Sequence, residues 1–257
     1  MTELEPRLER ALSGKPYRDE KTEYVRQHLR RSGARTLAEL HEVLANPPTR
    51  ARCMAACAVA GEVGDRRSTP RLLVAVLERA KHEEDAVAAA TALWSLGGAR
   101  VAAWVEPLLG HPRALVRTYA AYALGFTGQP SSAPLLAERL ADPAEDVEVR
   151  SHAAEALGHL CVRLPAVARR AILAGLKDPQ PEVRFWSIFA GSFLRLSEVE
   201  SDLKRLTRDH TKIPGWWTVS TEARWALLRL EGKIDEAEAV LGKVSPPAKT
   251  GTARSGV

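Results

Sequence analysis

From Asp142 to Leu160 the chain passes from a turn signal, Asp142-Pro143, into a segment whose apolar and small residues recur at helical spacing: Val149, Ala153, Ala156, Leu157 and Leu160. Residues three and four apart share one face of an α-helix, so the pattern predicts a helix with one side turned inward. The same phrase returns, altered, before and after it. Turn signals fall at Asn46-Pro47, His111-Pro112, Asp142-Pro143 and Asp178-Pro179, and a further turn begins near Asp209. The stretch between the first two holds two units, the second opening near Lys81-His82. Self-similarity at a period of roughly 30–45 residues marks an array of helix pairs, each burying its apolar face only against its neighbours.

Each unit is expected to carry a helix of small and apolar residues after the turn, then a loop, then a leucine-rich helix. In one unit these are Leu115–Gly125 and Ala133–Ala141, and in the next Val147–Leu160 and Ala166–Lys177. Gly125, Gly128 and Gly158 are expected to stop helices, because glycine accepts the left-handed geometry of a helix end. Residues 1–45 form a charged helical cap with helices over Thr2–Ala11, Asp19–Arg31 and the Leu37–Leu44 region. Residues 46–241 form the array, closing with helices at Ser220–Glu231 and Ile234–Leu241. Residues 242–257, rich in proline, glycine, serine and lysine, are expected to be a disordered tail. The fold class that follows is all-α: an α-α superhelix of about five to six helix pairs.

Charge changes this picture little. The formal net charge is +5, but 37 basic and 32 acidic residues are interspersed, which describes a solvated mixed surface and leaves room for a local basic patch. Three cysteines, Cys53, Cys57 and Cys161, are too few for a disulfide framework, and Cys53 and Cys57 lack two further ligands for zinc. They are expected to serve as small hydrophobes. No apolar run is long enough to cross a membrane, and no signal peptide is evident, so a cytoplasmic location is expected.

Asp178-Pro-Gln-Pro-Glu-Val-Arg184, and Asp142-Pro through Val149-Arg150 to Ala-Ala-Glu-Ala-Leu-Gly158, resemble HEAT repeats, in particular the short form of phycobilisome-lyase-like proteins. The likeness covers about residues 46–208. It implies that the turn aspartate and the helix arginine pack as a polar ladder, pairing Asp178 with Arg184 and Asp142 with Arg150. Arg117 keeps the arginine where His111 replaces the aspartate.

Twelve of the fourteen aromatic residues lie between Trp94 and Trp225. Aligned on the ladder arginine, Tyr122, Phe189 and Trp225 fall at one position. Phe185 falls one residue after the arginine. In arrays of this kind that helix tends to line the concave side, so these slots are expected to face a groove, where aromatic anchors favour binding. Trp216 and Trp217, in a Pro-Gly loop, are expected to be half-exposed rim anchors, because burying two indole N–H groups requires partners.

Catalytic readings carry less. Some HEAT-like metal hydroxylases use repeated His-Glu pairs. This chain has His41-Glu42 and His82-Glu83, which do not sit at matched places in two half-arrays. Trp216 to Thr221 resembles a tryptophan-led loop of HEAT-like glycosylases that remove alkylated purines from DNA. There a carboxylate follows the tryptophan by four positions, where this chain has Ser220 and Thr221. The expected function is therefore a non-catalytic scaffold or adaptor binding a protein or peptide in its groove, through Tyr122, Phe185, Phe189, Trp216, Trp217 and Trp225. Asp142, Arg150, Asp178, Arg184 and Arg117 shape it. No enzyme activity, metal, cofactor or membrane partner is expected, and the chain is expected to be monomeric. The alternative is a nucleic-acid-binding relative of alkylpurine DNA glycosylases that lacks their catalytic acid.

Overall fold

The computed structural model describes residues 33–127, 129–160 and 164–242. The helices expected over Thr2–Ala11 and Asp19–Arg31, the stop at Gly128, Cys161 and the tail from 243 lie outside the described residues. The chain divides into two compact units at Thr127/Gly128.

In the first unit, α1 (Gly33–Ala45), α2 (Arg50–Val63), α3 (Thr69–Arg79), α4 (Glu83–Leu96), α5 (Ala99–Val105) and α6 (Ala114–Thr127) follow in order, α5 running on into a 3-10 turn at Glu106–Gly110. Helix α2 packs on α4 and α4 on α6, while α1, α3 and α5 pack in turn as a second layer. The second unit holds α7 (Ala133–Ala141), α8 (Val147–His159), α9 (Ala166–Gly175), α10 (Pro181–Phe193), α11 (Glu200–Leu206), α12 (Val219–Leu230) and α13 (Ile234–Gly242). Here α8, α10 and α12 form the first layer, and α7 packs on α9 in the second. Among the described residues the β-structure is one isolated bridge, Lys212 to Thr218, which closes the loop before α12. The protein is all-α, built of repeated helix pairs.

The helix starts follow local chemistry. Thr49, Asp146 and Thr218 each accept a hydrogen bond from an amide in the first turn of α2, α8 and α12. Pro70, Pro134 and Pro181 sit in first turns, where a missing N–H costs nothing.

Two expectations about glycine need correction. Gly125 lies inside α6 and Gly158 inside α8, both buried, and neither stops a helix. A Cβ on Gly158 would stand 2.9 Å from the Ala190 Cα and 2.8 Å from the Phe189 ring, so the residue exists to let α8 and α10 approach. Gly97 and Gly98 do end α4, at φ 55° and 87°.

The two layers differ in kind. Every described side chain of α6 and α10 is buried or partly buried. Helices α3, α5, α9 and α11, by contrast, show water a run of exposed residues such as Arg71, Ala75 and Glu78 or Arg100, Ala103 and Trp104. First helices are flanked by neighbours in their own layer and covered by the second layer, so they read as apolar nearly all round. Second helices keep one wet face and read as amphipathic.

A cross-repeat ladder and a candidate recognition surface

The ladder exists, but in a different register from the expected one. Arg150 on α8 does not pair with Asp142 of its own turn. Its Nη1 and Nη2 donate to the Asp178 carboxylate of the next turn, and its Nε donates to the Leu140 carbonyl at 3.2 Å. Arg184 on α10 likewise passes over the Asp178 carboxylate and reaches Asp209, with Nη2 at 2.6 Å and Nε at 2.9 Å from Oδ2. Its Nη1 meanwhile donates to the backbone carbonyls of Asp178 and Pro179 at 2.8 and 2.9 Å. Arg184 thus ties the backbone of its own turn to the carboxylate of the following one, while Arg150 ties the end of the preceding helix, α7, to the carboxylate of the following turn. Arg117 keeps the first half of this device, donating to the carbonyls of His111 and Pro112 at 2.7 and 3.1 Å.

The turn aspartates have a second task that explains why the turn selects them. Asp142, Asp178 and Asp209 each accept the amide two residues on, from Ala144, Gln180 and Thr211, at 2.9, 2.9 and 3.1 Å. Burial by itself would raise the Asp209 carboxyl. The Thr211 hydrogen bonds and the Arg184 guanidinium outweigh it and hold the group below its ordinary range.

A second arginine series, which sequence reasoning missed, joins the outer layer. Helix C-termini leave carbonyls without intrahelical partners. Arg79 on α3 donates to the Leu44 and Ala45 carbonyls at the end of α1, Arg113 before α6 to those of Glu78 and Ala80 at the end of α3, and Arg205 on α11 to Leu176 after α9. The guanidinium also places positive charge at the negative end of the helix dipole.

The expected groove contacts are corrected by burial. Phe185, Phe189, Tyr122 and Trp225 are core residues, exposed by 0, 1, 4 and 2%. Phe189 lies between Trp186 and Phe193, with ring centroids at 5.6 and 4.3 Å, and Phe193 stacks toward Trp225 at 5.8 Å. Tyr122 packs edge-on to Trp94 at 6.1 Å. Tyr122, Phe185, Phe189 and Trp225 thus fill space between neighbouring first helices and offer no free face. Trp216 is partly exposed, whereas Trp217 is buried and donates Nε1–H to the Glu222 Oε2 at 2.7 Å. Glu222, fully buried, is the indole partner that the sequence reading did not find. It stands one residue beyond Ser220 and Thr221, and its carboxylate is committed to the indole.

The His-Glu pairs do not converge. His41 on α1 bonds the Thr69 hydroxyl at 2.9 Å, and burial lowers its pKa. His82 is exposed at the start of α4, where Glu83 accepts from the Tyr119 hydroxyl at 2.7 Å. Among the described residues no three of His, Cys, Asp and Glu gather as a metal site. The pairs therefore do not fit one shared metal centre there.

What the outer face does offer is Trp104, 42% exposed on α5. The Arg71 guanidinium from α3 stands 5.8 Å from its ring centroid. Arg100 on α5 is exposed as well, as are Arg66 and Arg67 in the turn before α3. Trp104 breaks the inward stripe of Val101, Ala102 and Val105, and that break was the signal that could have singled it out.

Comparison with known proteins agrees with the repeat architecture. Residues 70–158 match the family model for HEAT repeats. Deoxyhypusine hydroxylase from Bos taurus is 36% identical over 124 residues, covering 47% of this chain. The chain spans only 39% of that relative's length. The relative is named for a catalysed reaction, so the expectation that this chain is not an enzyme does not stand. The X-ray structure of YibA from Escherichia coli superposes with a TM-score of 0.51 at 19% identity, over 92% of each chain. The CpcE and CpcF complex of phycocyanin lyase from Nostoc aligns at 0.48 and 17%, over 94% of this chain and 96% of that one. No helix among the described residues is long and apolar enough to cross a membrane. The helix pairs, their arginine–aspartate ties and the family match together show that this chain carries HEAT repeats, spanning residues 70–158.

Proposed function

We propose that the chain recognises an acidic segment of a protein partner on the wet face of its second helices, centred on Trp104 and Arg71. The observation that carries this reading is a large aromatic ring left 42% exposed beneath a guanidinium. Tryptophan and arginine are the residues that most often dominate binding energy at interfaces. Four exposed arginines, Arg66, Arg67, Arg71 and Arg100, supply the charge complementarity. The recognition surface moves from the first helices to the second because the aromatic rings of the first, Tyr122, Phe185, Phe189 and Trp225, are buried.

The test places a photo-crosslinking amino acid at Ala103, exposed beside Trp104 on α5, with Trp104→Ala and Arg71→Glu as comparison variants. An acidic polypeptide captured from native extract through position 103, and lost in both variants at an unchanged melting temperature, supports the reading. Capture of nucleic acid alone sinks it in favour of the nucleic-acid alternative, and capture of nothing sinks it outright.

A second reading rests on the 36% identity to the bovine protein: hydroxylation of deoxyhypusine. Incubating the chain with a deoxyhypusine substrate, and looking by mass spectrometry for gain of one oxygen, tests it directly. No gain of oxygen under conditions in which the bovine protein is active removes this reading.

A further inference from the structure

Among the described residues, Arg195 in the turn after α10 is the one non-glycine with a left-handed backbone, at φ 50°. After α12 the matching place is filled by Gly232, which takes that geometry without a clash. An arginine there is strained, and such strain gathers where a site needs a particular side chain at that point. The protein itself makes no use of the guanidinium. Among the described residues it has neither a carboxylate nor a carbonyl partner, whereas Arg169 on α9 is tied to Glu198.

Both arginines line a cavity of about 300 Å³, whose walls also include Leu164, Leu194, Leu196 and Glu198. Arg195 and Glu198 are exposed, so the cavity has a mouth on solvent. With Arg169 and Glu198 offsetting each other, the lining carries one uncompensated positive charge, that of Arg195. At about 30 Å³ per atom, the share of one water in the liquid, the space holds a ligand of about ten non-hydrogen atoms.

We propose that this cavity binds a small monocarboxylate with an apolar body, such as a medium-chain alkanoate. The carboxylate sits on Arg195, whose planar guanidinium offers paired N–H donors matching both oxygens. The chain lies against the three leucines, which removes its apolar surface from water. One free positive charge suits one negative charge. A phosphate dianion would bring a second negative charge up to Glu198. The site lies within the second unit and is independent of the Trp104 surface.

The experiment titrates the full chain with octanoate at pH 7 by isothermal titration calorimetry, and saturable one-to-one binding is expected. Arg195→Gly removes the guanidinium and relieves the left-handed geometry. It should melt no lower than the parent, yet bind octanoate at least about tenfold more weakly, the loss of one hydrogen bond between charged groups. Glu198→Gln deletes the negative charge of the lining and should bind octanoate more tightly. Octanol, the same chain without the charge, should bind more weakly than octanoate, and inorganic phosphate should not compete. No saturable binding to the parent, undiminished affinity in Arg195→Gly, affinity in Glu198→Gln that does not rise, octanol binding equal to octanoate, or displacement by phosphate overturns the proposal. If Arg195→Gly fails to fold, Glu198→Gln and the octanol comparison decide.

Discussion

Replacing Arg150 with alanine tests the register of the ladder. The wild-type side chain reaches into both flanking repeats, with Nε on the Leu140 carbonyl at 3.2 Å and the guanidinium end on the Asp178 carboxylate. The two charged side chains retain only 10 and 7% exposure. A surface pair of this kind would contribute about 0–1 kcal/mol. Removing one member of a buried pair costs about 3–5 kcal/mol, because the other charge is left in a poor solvent. Asp178 would keep only the Gln180 amide, at 2.9 Å. The expected loss for Arg150→Ala is about 3 kcal/mol, the low end of that range, because slight exposure lets water reach the orphaned carboxylate.

Urea denaturation followed by circular dichroism measures that loss, and a double-mutant cycle assigns its partner. Coupling between Arg150→Ala and Asp178→Ala should be about 1–3 kcal/mol, as for residues in one ion-pair network. The Asp142 carboxylate accepts the Ala144 amide instead, so the cycle with Asp142→Ala should give a coupling indistinguishable from zero. All variants must be compared within one transition, because repeat arrays can unfold in parts. A coupling to Asp142 as large as that to Asp178, or a loss for Arg150→Ala below about 1 kcal/mol, would refute the cross-repeat ladder.

Gly158→Ala should destabilise by about 1–3 kcal/mol through overpacking, since its new methyl meets the Ala190 backbone at 2.9 Å; thermal melting reads the loss. Arg195→Gly should raise stability by about 1 kcal/mol, the strain of a left-handed non-glycine residue. Arg195 sits at φ 50° after α10, in a helix-end motif closed by Leu196 N–H to the Gly191 carbonyl at 3.0 Å, whereas glycine, Gly232, fills that place after α12 at φ 79°. An unchanged or lower melting point for Arg195→Gly would show that the arginine side chain repays the strain. Asp209 has a depressed pKa, so its contribution is present above the unfolded carboxylate value, near about 3.9, and fades as pH falls through the lower folded value. Asp209→Asn should therefore be less stable than wild type at neutral pH, by about 1.5 kcal/mol for a hydrogen bond to a charged group. A denaturation series should show the gap closing below about pH 4, and a gap that persists there would contradict the charge-based account.

Much of the local architecture was legible along the chain. Ala133–Ala141 was read to its boundaries, and Val147–Leu160 and Ile234–Leu241 to within one residue. Turn aspartates, prolines and helical periodicity act over a few residues, and a reader of the sequence sees all of that chemistry at once. Gly158 shows where this stops. As a local signal, glycine near the end of an alanine-rich run means a helix terminus. Its actual reason is the Phe189 ring, which a Cβ would meet at 2.8 Å from the next first helix.

Arg150, Asp178 and the aromatic residues divide the two kinds of information most sharply. The sequence alone determined that helices would couple in repeats and that aromatics would concentrate after Trp94, and its resemblance to HEAT repeats implied that arginine and aspartate would pair. Only the packed structure decided that Arg150 reaches forward to Asp178 while its own Asp142 turns to the Ala144 amide. Packing also buried Phe185 and Phe189 and left Trp104 in water. Periodicity states which residues share a face of one helix. Which faces become core depends on how many neighbouring helices cover each layer, and that is settled by contacts between residues some thirty positions apart.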